Sequence, residues 1–439
     1  MKKFSQWVSS IAEAGREFLP LINRQDKKPT LSTLCHNLCT SKGEAMGTAL
    51  AHEVVKNYLH LDNEGRIAFF HMLHNEFGAD PKQILDCAEA FKNTPSRDTY
   101  RALYHAVESP RQRLFSRINM APQGTATLID LRRQLLPYLS EFPELTGIDY
   151  DLKNLMISWF NRGFLTLEQI CWSTPAHILE KLIAYEAVHE MKGWGDLRRR
   201  LADDRRCFAF FHPALEDEPL IFVQVALVKG IAGNVQELLA EPNAEAIATF
   251  DNNDFDTAIF YSISNCQEGL KGISFGNFLI KQVVLELRNE FPQLKQFATL
   301  SPIPGFTKWL RKERADENSI LIDSKAQQQL QLMDETEWAN NQSSCEILQP
   351  LLTRLCAHYL HDAKSGKKPL DAVARFHLGN GAQIAHLNWM GDNSANGLKQ
   401  SAGLLVNYEY QLNKVEMNHE NYVNDDKVTV SAEIQKLLK

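Results

Sequence analysis

The chain has 439 residues, 44% of them hydrophobic and 23% charged, with a net charge of −7. That composition fits a globular protein with room for two or three domains, and the acidic, sign-mixed balance argues against a general nucleic-acid binder. No apolar run reaches the roughly 18 residues of a membrane-spanning helix, so no membrane span is expected.

The first twenty residues start basic, but Glu13, Arg16 and Glu17 interrupt any apolar stretch. They read as an amphipathic helix rather than a signal peptide. The chain ends QKLLK, with no peroxisomal tripeptide. Eight cysteines at 35, 39, 87, 171, 207, 266, 345 and 356 show no zinc or redox spacing. They read as reduced, mostly buried thiols, and the cytoplasm is the expected location.

Helical periodicity dominates the first 160 residues. Ala45–Tyr58, Ile67–Leu73 and Thr127–Leu136 carry apolar residues at helical spacing, and Asp62 is placed to cap the second of these. Gly78, Pro81, Pro110, Pro122 and Gly124 mark the breaks. Beyond residue 160 the pattern changes. Cys207–His212, Leu220–Val228, Ala258–Ile263 and Phe297–Leu300 read as strands, with Val406–Tyr410 and Lys427–Val430 as shorter ones. Between them, Lys271–Asn289 reads as a glycine loop opening a helix and Glu346–Leu360 as a helix. Asp316–Asn341 is a polar helical excursion, and Asn418–Asp426 reads as a loop. The expected class is α+β, with an all-α domain over residues 1–160 and a mixed α/β domain over 161–439.

Three segments carry candidate chemistry. In QFATLSPIPGFTKWL (296–310) an apolar run delivers Ser301 onto a turn stiffened by Pro302 and Pro304, with Gly305 supplying backbone freedom. Such a hydroxyl either faces a ligand at a sheet edge or caps a strand-to-helix turn. In NCQEGLKGISFGNFLI (265–280), Gly269, Gly272 and Gly276 follow a strand and precede a helix. Free backbone N–H groups and the positive end of a helix dipole there would hold an anion. The alternative is a close-packed helix start. In RFHLGNGAQIAHLNWMGD (375–392), His377 precedes Gly379-Asn380-Gly381, a hairpin-type turn signal. It either projects into a cleft or is satisfied in the core, with His386, Asn388 and Asp392 as neighbours that could orient it. Cys356, His358 and His361 share a helix, but no partner motif completes a metal site, so packing is the favoured reading. The Gly-x-Ser-x-Gly elbow of hydrolases is missing from the sequence.

Taken in order, these segments resemble the malonyl-CoA decarboxylase family. The resemblance also covers EAMGTALAHEVVKNY, RIAFFHMLHNEFGADP, PRQRLFSRIN and YEAVHEMKGWGDLRRRL, and runs from about Gly43 to Tyr410. It implies a helical N-terminal bundle used in oligomer contacts and a GNAT-like catalytic domain. By motif, Ser301 takes the place of the catalytic serine and His377 that of the catalytic histidine. Lys271, Gly272, Ile273, Ser274, Phe275, Gly276 and Asn277 take the place of the coenzyme-A-contacting loop, and Tyr410 aligns with a tyrosine near the site. The family often carries an acidic residue where this chain has Ser274. Malonyl-CoA is then the substrate and acetyl-CoA and carbon dioxide the products. No metal or separate cofactor is needed, coenzyme A being part of the substrate. A homo-oligomer, dimer or tetramer, is expected through the helical domain. Lys229, Lys271, Lys281, Lys308, Arg311 and Lys312 are candidates to focus a positive field on the coenzyme. A GNAT-type acyl-CoA acyltransferase and a catalytically inert CoA-binding scaffold are the alternatives, and turnover of malonyl-CoA without an acceptor separates them.

Overall fold

The computed structural model describes residues 10, 29–241, 255–273, 279–335 and 337–439. The amphipathic helix expected in the first twenty residues lies outside them, save residue 10. Two compact units emerge. The first takes in Met1–Thr166 with Phe211–Leu220 and Gln267–Phe275; the second takes in Leu167–Phe210, Ile221–Cys266 and Gly276–Lys439. Among the described residues no helix is long and apolar enough to cross a membrane.

The first unit is all-α. Its helices are α1 (Leu31–Thr40), α2 (Glu44–Leu59), α3 (Asn63–Phe77), α4 (Pro81–Asn93), α5 (Arg97–Val107), α6 (Pro110–Ile118), α7 (Gly124–Leu135) and α8 (Thr146–Trp159). Local chemistry sets their starts. Asp62 accepts the Gly65 N–H at 2.8 Å as the N-cap of α3, and Pro81 and Pro110 occupy first helical turns, where no N–H is needed. Phe70, Leu73, Phe115, Leu128, Ile148 and Leu152 are buried in its core. The pair α4–α5 is different: α4 buries no residue and α5 only Ala106.

Three segments that the sequence reading placed in the 161–439 half fall in this unit: residues 161–166, Phe211–Leu220 and Gln267–Phe275. For Gln267–Phe275 the reason is visible at Gly269, whose α-carbon lies so close to the Ile129 carbonyl of α7 that a side chain would run into it. Arg132 of α7, 3% exposed, donates to the carbonyls of Gly269 at 2.7 Å and Lys271 at 2.9 Å, and its Nε donates to Asp149 at 2.7 Å.

The second unit is built on a mixed eight-stranded sheet. Its strands are β1 (Thr166–Ile170), β2 (Arg205–Phe211), β3 (Pro219–Val228), β4 (Thr257–Asn265), β5 (Gln296–Thr299), β6 (Ser301–Pro302), β7 (Gln383–Asn388) and β8 (Leu405–Glu409). The order is β1-β2-β3-β4-β5-β8-β6, with β7 paired to β8. β3 is buried along nearly its whole length, as a continuous apolar run requires of an inner strand. β4 and β5 run parallel, with Phe260 opposite Thr299. Parallel neighbours need a crossover, and the helix α9 (Leu279–Glu290) supplies it, burying Leu279, Ile280, Val283, Val284 and Leu287. The sheet ends at β6, an edge position that tolerates Pro302. The remaining helices used below are α10 (Phe306–Ala315), α11 (Gln342–His361), α12 (Ala372–Gly379) and α13 (Val415–Asp425).

This is the α+β class expected, a helical half followed by a mixed-sheet half. Three local expectations are corrected. Gly379-Asn380-Gly381 is no hairpin turn but the C-cap of α12. The Gly381 N–H reaches the Leu378 carbonyl at 3.0 Å and the Ala382 N–H reaches the His377 carbonyl at 3.1 Å, a Schellman closure with Gly381 at φ +84°. Asn418–Asp426 is not a loop: Asn418, His419 and Tyr422 bury one face of α13, and this packing overrides a weak local propensity. Lys427–Val430 forms no strand, only an isolated parallel bridge between Val430 and Ile384.

Candidate active site

One strand break creates the candidate site. β8 pairs with β5 and β6 in a single antiparallel register, with Glu409 opposite Ala298 and Val406 opposite Ser301. Between these pairs the ladder is interrupted at Leu300, and side chains take over. Asn407 Nδ2 donates to the Thr299 carbonyl at 2.7 Å, while the Tyr408 N–H donates to Thr299 Oγ1 at 3.2 Å. Asn407 is fully buried, and Asn388 Nδ2 donates to its amide oxygen at 2.7 Å. Ser301 emerges just past this break.

His377 comes from α12. The Asp371 carboxylate caps that helix by accepting the Ala374 N–H at 2.8 Å, and Tyr359 of α11 donates to Asp371 at 3.2 Å. Burial pushes the Asp371 carboxyl above the usual carboxylate range. The far end of α12 is held by α13: His419 donates to the Gly379 carbonyl at 2.7 Å and Asn418 to the Gly381 carbonyl at 3.2 Å. Both ends of the helix that carries the imidazole are therefore fixed by side chains of other elements.

The two groups meet. Ser301 Oγ lies 3.1 Å from His377 Nε2, with the serine 6% and the histidine 3% exposed. His377 Nδ1 lies 2.8 Å from the Tyr410 hydroxyl. The Tyr408 ring stacks on the imidazole at 4.5 Å and 23°. Ser301 donates its own hydrogen to Thr299 Oγ1 at 2.8 Å. Burial pushes the His377 pKa down to about 3, so the ring is neutral, and holds the Tyr410 hydroxyl well above its usual range. A neutral imidazole bonded to a hydroxyl on each side can move a proton without leaving a permanent charge in the core.

The sequence pattern of the malonyl-CoA decarboxylase C-terminal domain matches residues 163–439, and that of its N-terminal domain matches residues 77–160. The mitochondrial malonyl-CoA decarboxylase of Anser anser anser is 35% identical over 413 residues, 87% of this chain and 82% of that one. The mitochondrial protein of Mus musculus is 39% identical over 353 residues, 75% of this chain and 71% of that one. The chain belongs to the malonyl-CoA decarboxylase family. The crystal structure of the Rhodopseudomonas palustris malonyl-CoA decarboxylase agrees with it at 45% identity and a TM-score of 0.88, covering 92% of this chain and 98% of that one. The Agrobacterium vitis malonyl-CoA decarboxylase does so at 44% and 0.86, covering 93% and 99%.

Of the residues that the family motifs single out, the structure brings Ser301, His377 and Tyr410 together. Lys271, Gly272 and Ile273 lie in the helical unit just after a short 3-10 turn, Glu268–Leu270, with Gly272 at φ +76°. Ser274, Phe275, Gly276 and Asn277 lie outside the described residues. His386, Asn388 and Asp392 do not orient His377. His386 pairs with Glu433 at 2.5 Å, Asn388 bonds Asn407, and Asp392 accepts from Gln236 at 2.8 Å. Gly305 sits at an ordinary φ of −96°; its glycine is required instead by the Tyr359 hydroxyl, which occupies the space of a Cβ.

His358 and His361 both hydrogen-bond Asp362, at 2.6 and 2.5 Å, while Cys356 is buried and free. Among the described residues no cluster of three metal-ligating side chains occurs. Four of the eight cysteines, Cys35, Cys207, Cys266 and Cys356, are buried, and Cys171 is exposed. Of the basic candidates, Lys229, Lys308, Arg311, Lys312 and Lys271 are exposed, and Lys281 pairs with Glu416.

Thr299, Tyr408, Asp371 and Arg132 were not singled out from the sequence. Tyr408 and Arg132 act on groups far away in the chain, and the local bonds of Thr299 to Ser301 and of Asp371 to Ala374 matter only once β8 and α11 supply Tyr408 and Tyr359.

Proposed function

We propose that the protein decarboxylates malonyl-CoA to acetyl-CoA and carbon dioxide. It acts as a carboxy-lyase, with Ser301 and His377 as its catalytic pair. The observation that carries this reading is the 3.1 Å approach of Ser301 Oγ to His377 Nε2 in a chain of this family.

The chemistry follows from the charges. Ser301 hydrogen-bonds the malonyl carboxylate. Burial keeps His377 neutral, but a carboxylate beside it supplies the counter-charge that lets the ring bind a proton. The C–C bond then breaks, carbon dioxide leaves neutral, and the electron pair moves into the thioester carbonyl as an enolate. Backbone N–H donors at Ser274–Asn277 or at the turn after Ser301 stabilise the enolate oxygen, each worth about 3–4 kcal/mol. The imidazolium gives its Nε2 proton to the α-carbon and returns to neutrality. One proton from solvent is consumed per turnover, which balances the lost carboxylate charge. A thioester is an adequate electron sink, so the scheme uses no metal, biotin or pyridoxal.

Lys271–Asn277 contact the coenzyme. Arg132 supports this assignment by fixing the carbonyls of Gly269 and Lys271. Homo-oligomer formation, as a dimer or tetramer through the helical unit, is supported by the apolar surface of α4–α5, where Leu85 is 69% and Tyr104 62% exposed. A cytoplasmic place in fatty-acid metabolism completes the reading.

The test is a coupled acetyl-CoA assay with malonyl-CoA alone. Acetyl-CoA and carbon dioxide without any acceptor support a decarboxylase over an acyltransferase. Ser301→Ala and His377→Ala are expected to lower turnover by about 10²–10⁴-fold with little loss of coenzyme affinity. Full turnover by His377→Ala removes that residue from the mechanism.

A further inference from the structure

We infer that Thr299 is a positioning residue that sets the direction of the hydrogen bonds through the site, and with it the tautomer of His377.

Four hydroxyl and imidazole groups form one unbranched line: Tyr410, His377, Ser301, Thr299. A neutral imidazole carries one N–H and one bare nitrogen, and each hydroxyl has one hydrogen to give. The direction of one bond therefore decides the rest. Ser301 donates to Thr299 Oγ1 at 2.8 Å, so it has no hydrogen left for His377. His377 Nε2 must then carry the hydrogen and donate to Ser301 Oγ. Nδ1 is bare and accepts from the Tyr410 hydroxyl.

Thr299 is built to be that acceptor. The residue is fully buried, and its Oγ1 also accepts the Tyr408 N–H at 3.2 Å. Its carbonyl is pinned by Asn407 at 2.7 Å. The hydroxyl oxygen is locked within the strand break, where it takes a ladder bond that the backbone would otherwise fill. Tyr408 closes the circuit, since its N–H anchors Thr299 and its ring stacks on the imidazole that Thr299 governs.

The consequence rests on the proposed roles of Ser301 and His377. The resting enzyme holds its hydrogen on Nε2, the atom facing Ser301 and the substrate. The second proton of the imidazolium enters at Nδ1, from the Tyr410 side, and once Nε2 has given its hydrogen to the α-carbon, exchange with solvent takes the proton off Nδ1 and puts one back on Nε2. The Ser301 hydrogen is parked on Thr299 until a carboxylate arrives to accept it.

The experiment is nitrogen NMR on protein with ¹⁵N-labelled histidine, His377 being assigned by subtraction of the H377Q spectrum. In wild type the His377 shifts should report Nε2–H with bare Nδ1, unchanged between pH 6 and 8. Thr299→Val keeps the shape but removes the acceptor. Ser301 should then turn its hydrogen to Nε2, and the two nitrogen shifts should exchange. Its kcat should fall on the order of tenfold, the worth of one positioned hydrogen bond, with KM for malonyl-CoA little changed. Thr299→Ser should restore the wild-type shifts and bring kcat to within about threefold of wild type. A wild-type spectrum with Nδ1–H overturns the inference outright, without any variant having to fold. So does a Thr299→Val protein with wild-type shifts. Neither result depends on activity, so this inference can fail while the decarboxylase reading stands.

Discussion

Burial of His377 ties the stability of the fold to pH. The imidazole ordinarily titrates at 6.5, and in the folded protein burial pushes it down to about 3. Between those values the unfolded chain binds a proton that the native state does not. The contribution is therefore fully present above 6.5 and is lost as the pH falls toward 3. Each unit is worth about 1.4 kcal/mol, so the whole window is worth about 5 kcal/mol, and about 2 kcal/mol is lost by pH 5. The perturbation is His377→Gln, which removes the titrating group but retains an amide of similar reach. Urea unfolding of both proteins at pH 7.5 and 5.0, at one fixed protein concentration, gives four free energies. Wild type should lose about 2 kcal/mol more than the variant over that interval. His189 and His212, whose pKa values are also lowered by burial, titrate in both proteins and cancel. Equal losses in the two proteins would refute the reasoning, because they would mean that the folded imidazole takes up its proton as freely as the unfolded one.

Three further outcomes are expected. Gly381→Ala should cost about 2–4 kcal/mol in denaturant unfolding, since the residue sits at φ +84° and the new Cβ meets the Val415 carbonyl; it should lower kcat as well, because α12 ends there. Arg132→Gln should raise KM for malonyl-CoA several-fold with kcat nearly kept, because the Gly269 and Lys271 carbonyls lose their clamp; a change confined to kcat would contradict the assigned role. Leu85→Glu combined with Tyr104→Glu should shift the mass measured by light scattering from oligomer toward monomer, and an unaltered mass would exclude α4–α5 as the contact.

Elements with strong periodicity or punctuation were legible. The helical spacing of 45–58, the Asp62 cap and the apolar runs of β3 and β4 all became the elements they suggested. Those signals depend on a few neighbouring residues. Ser301 and His377 were legible as individuals through their motifs, but their meeting depends on β8, about a hundred residues downstream of Ser301. The failures share one cause. Gly381 takes a positive φ in a hairpin turn as in a Schellman cap, and only the preceding helix, which leaves Asn380 at φ −92°, decides between them. The Asn- and Asp-rich run after Lys414 has little helical preference of its own, and it becomes α13 by docking Asn418 and His419 on the end of α12. Gly305 was read for freedom of rotation, when what it supplies is an absent atom beside Tyr359.

β8 contributes to both halves of the reactive pair. Its Val406 lies opposite Ser301, and Tyr408 within it and Tyr410 just past its end, both of the same parity, hold the ring of His377. Side chains along a strand alternate between faces, so a slip of a single residue would send both tyrosines to the opposite surface of the sheet and leave the imidazole without stack or partner. A misaligned sheet in this protein would therefore be silent as an enzyme even if compact, and turnover itself reports that the last strand has seated in its proper frame.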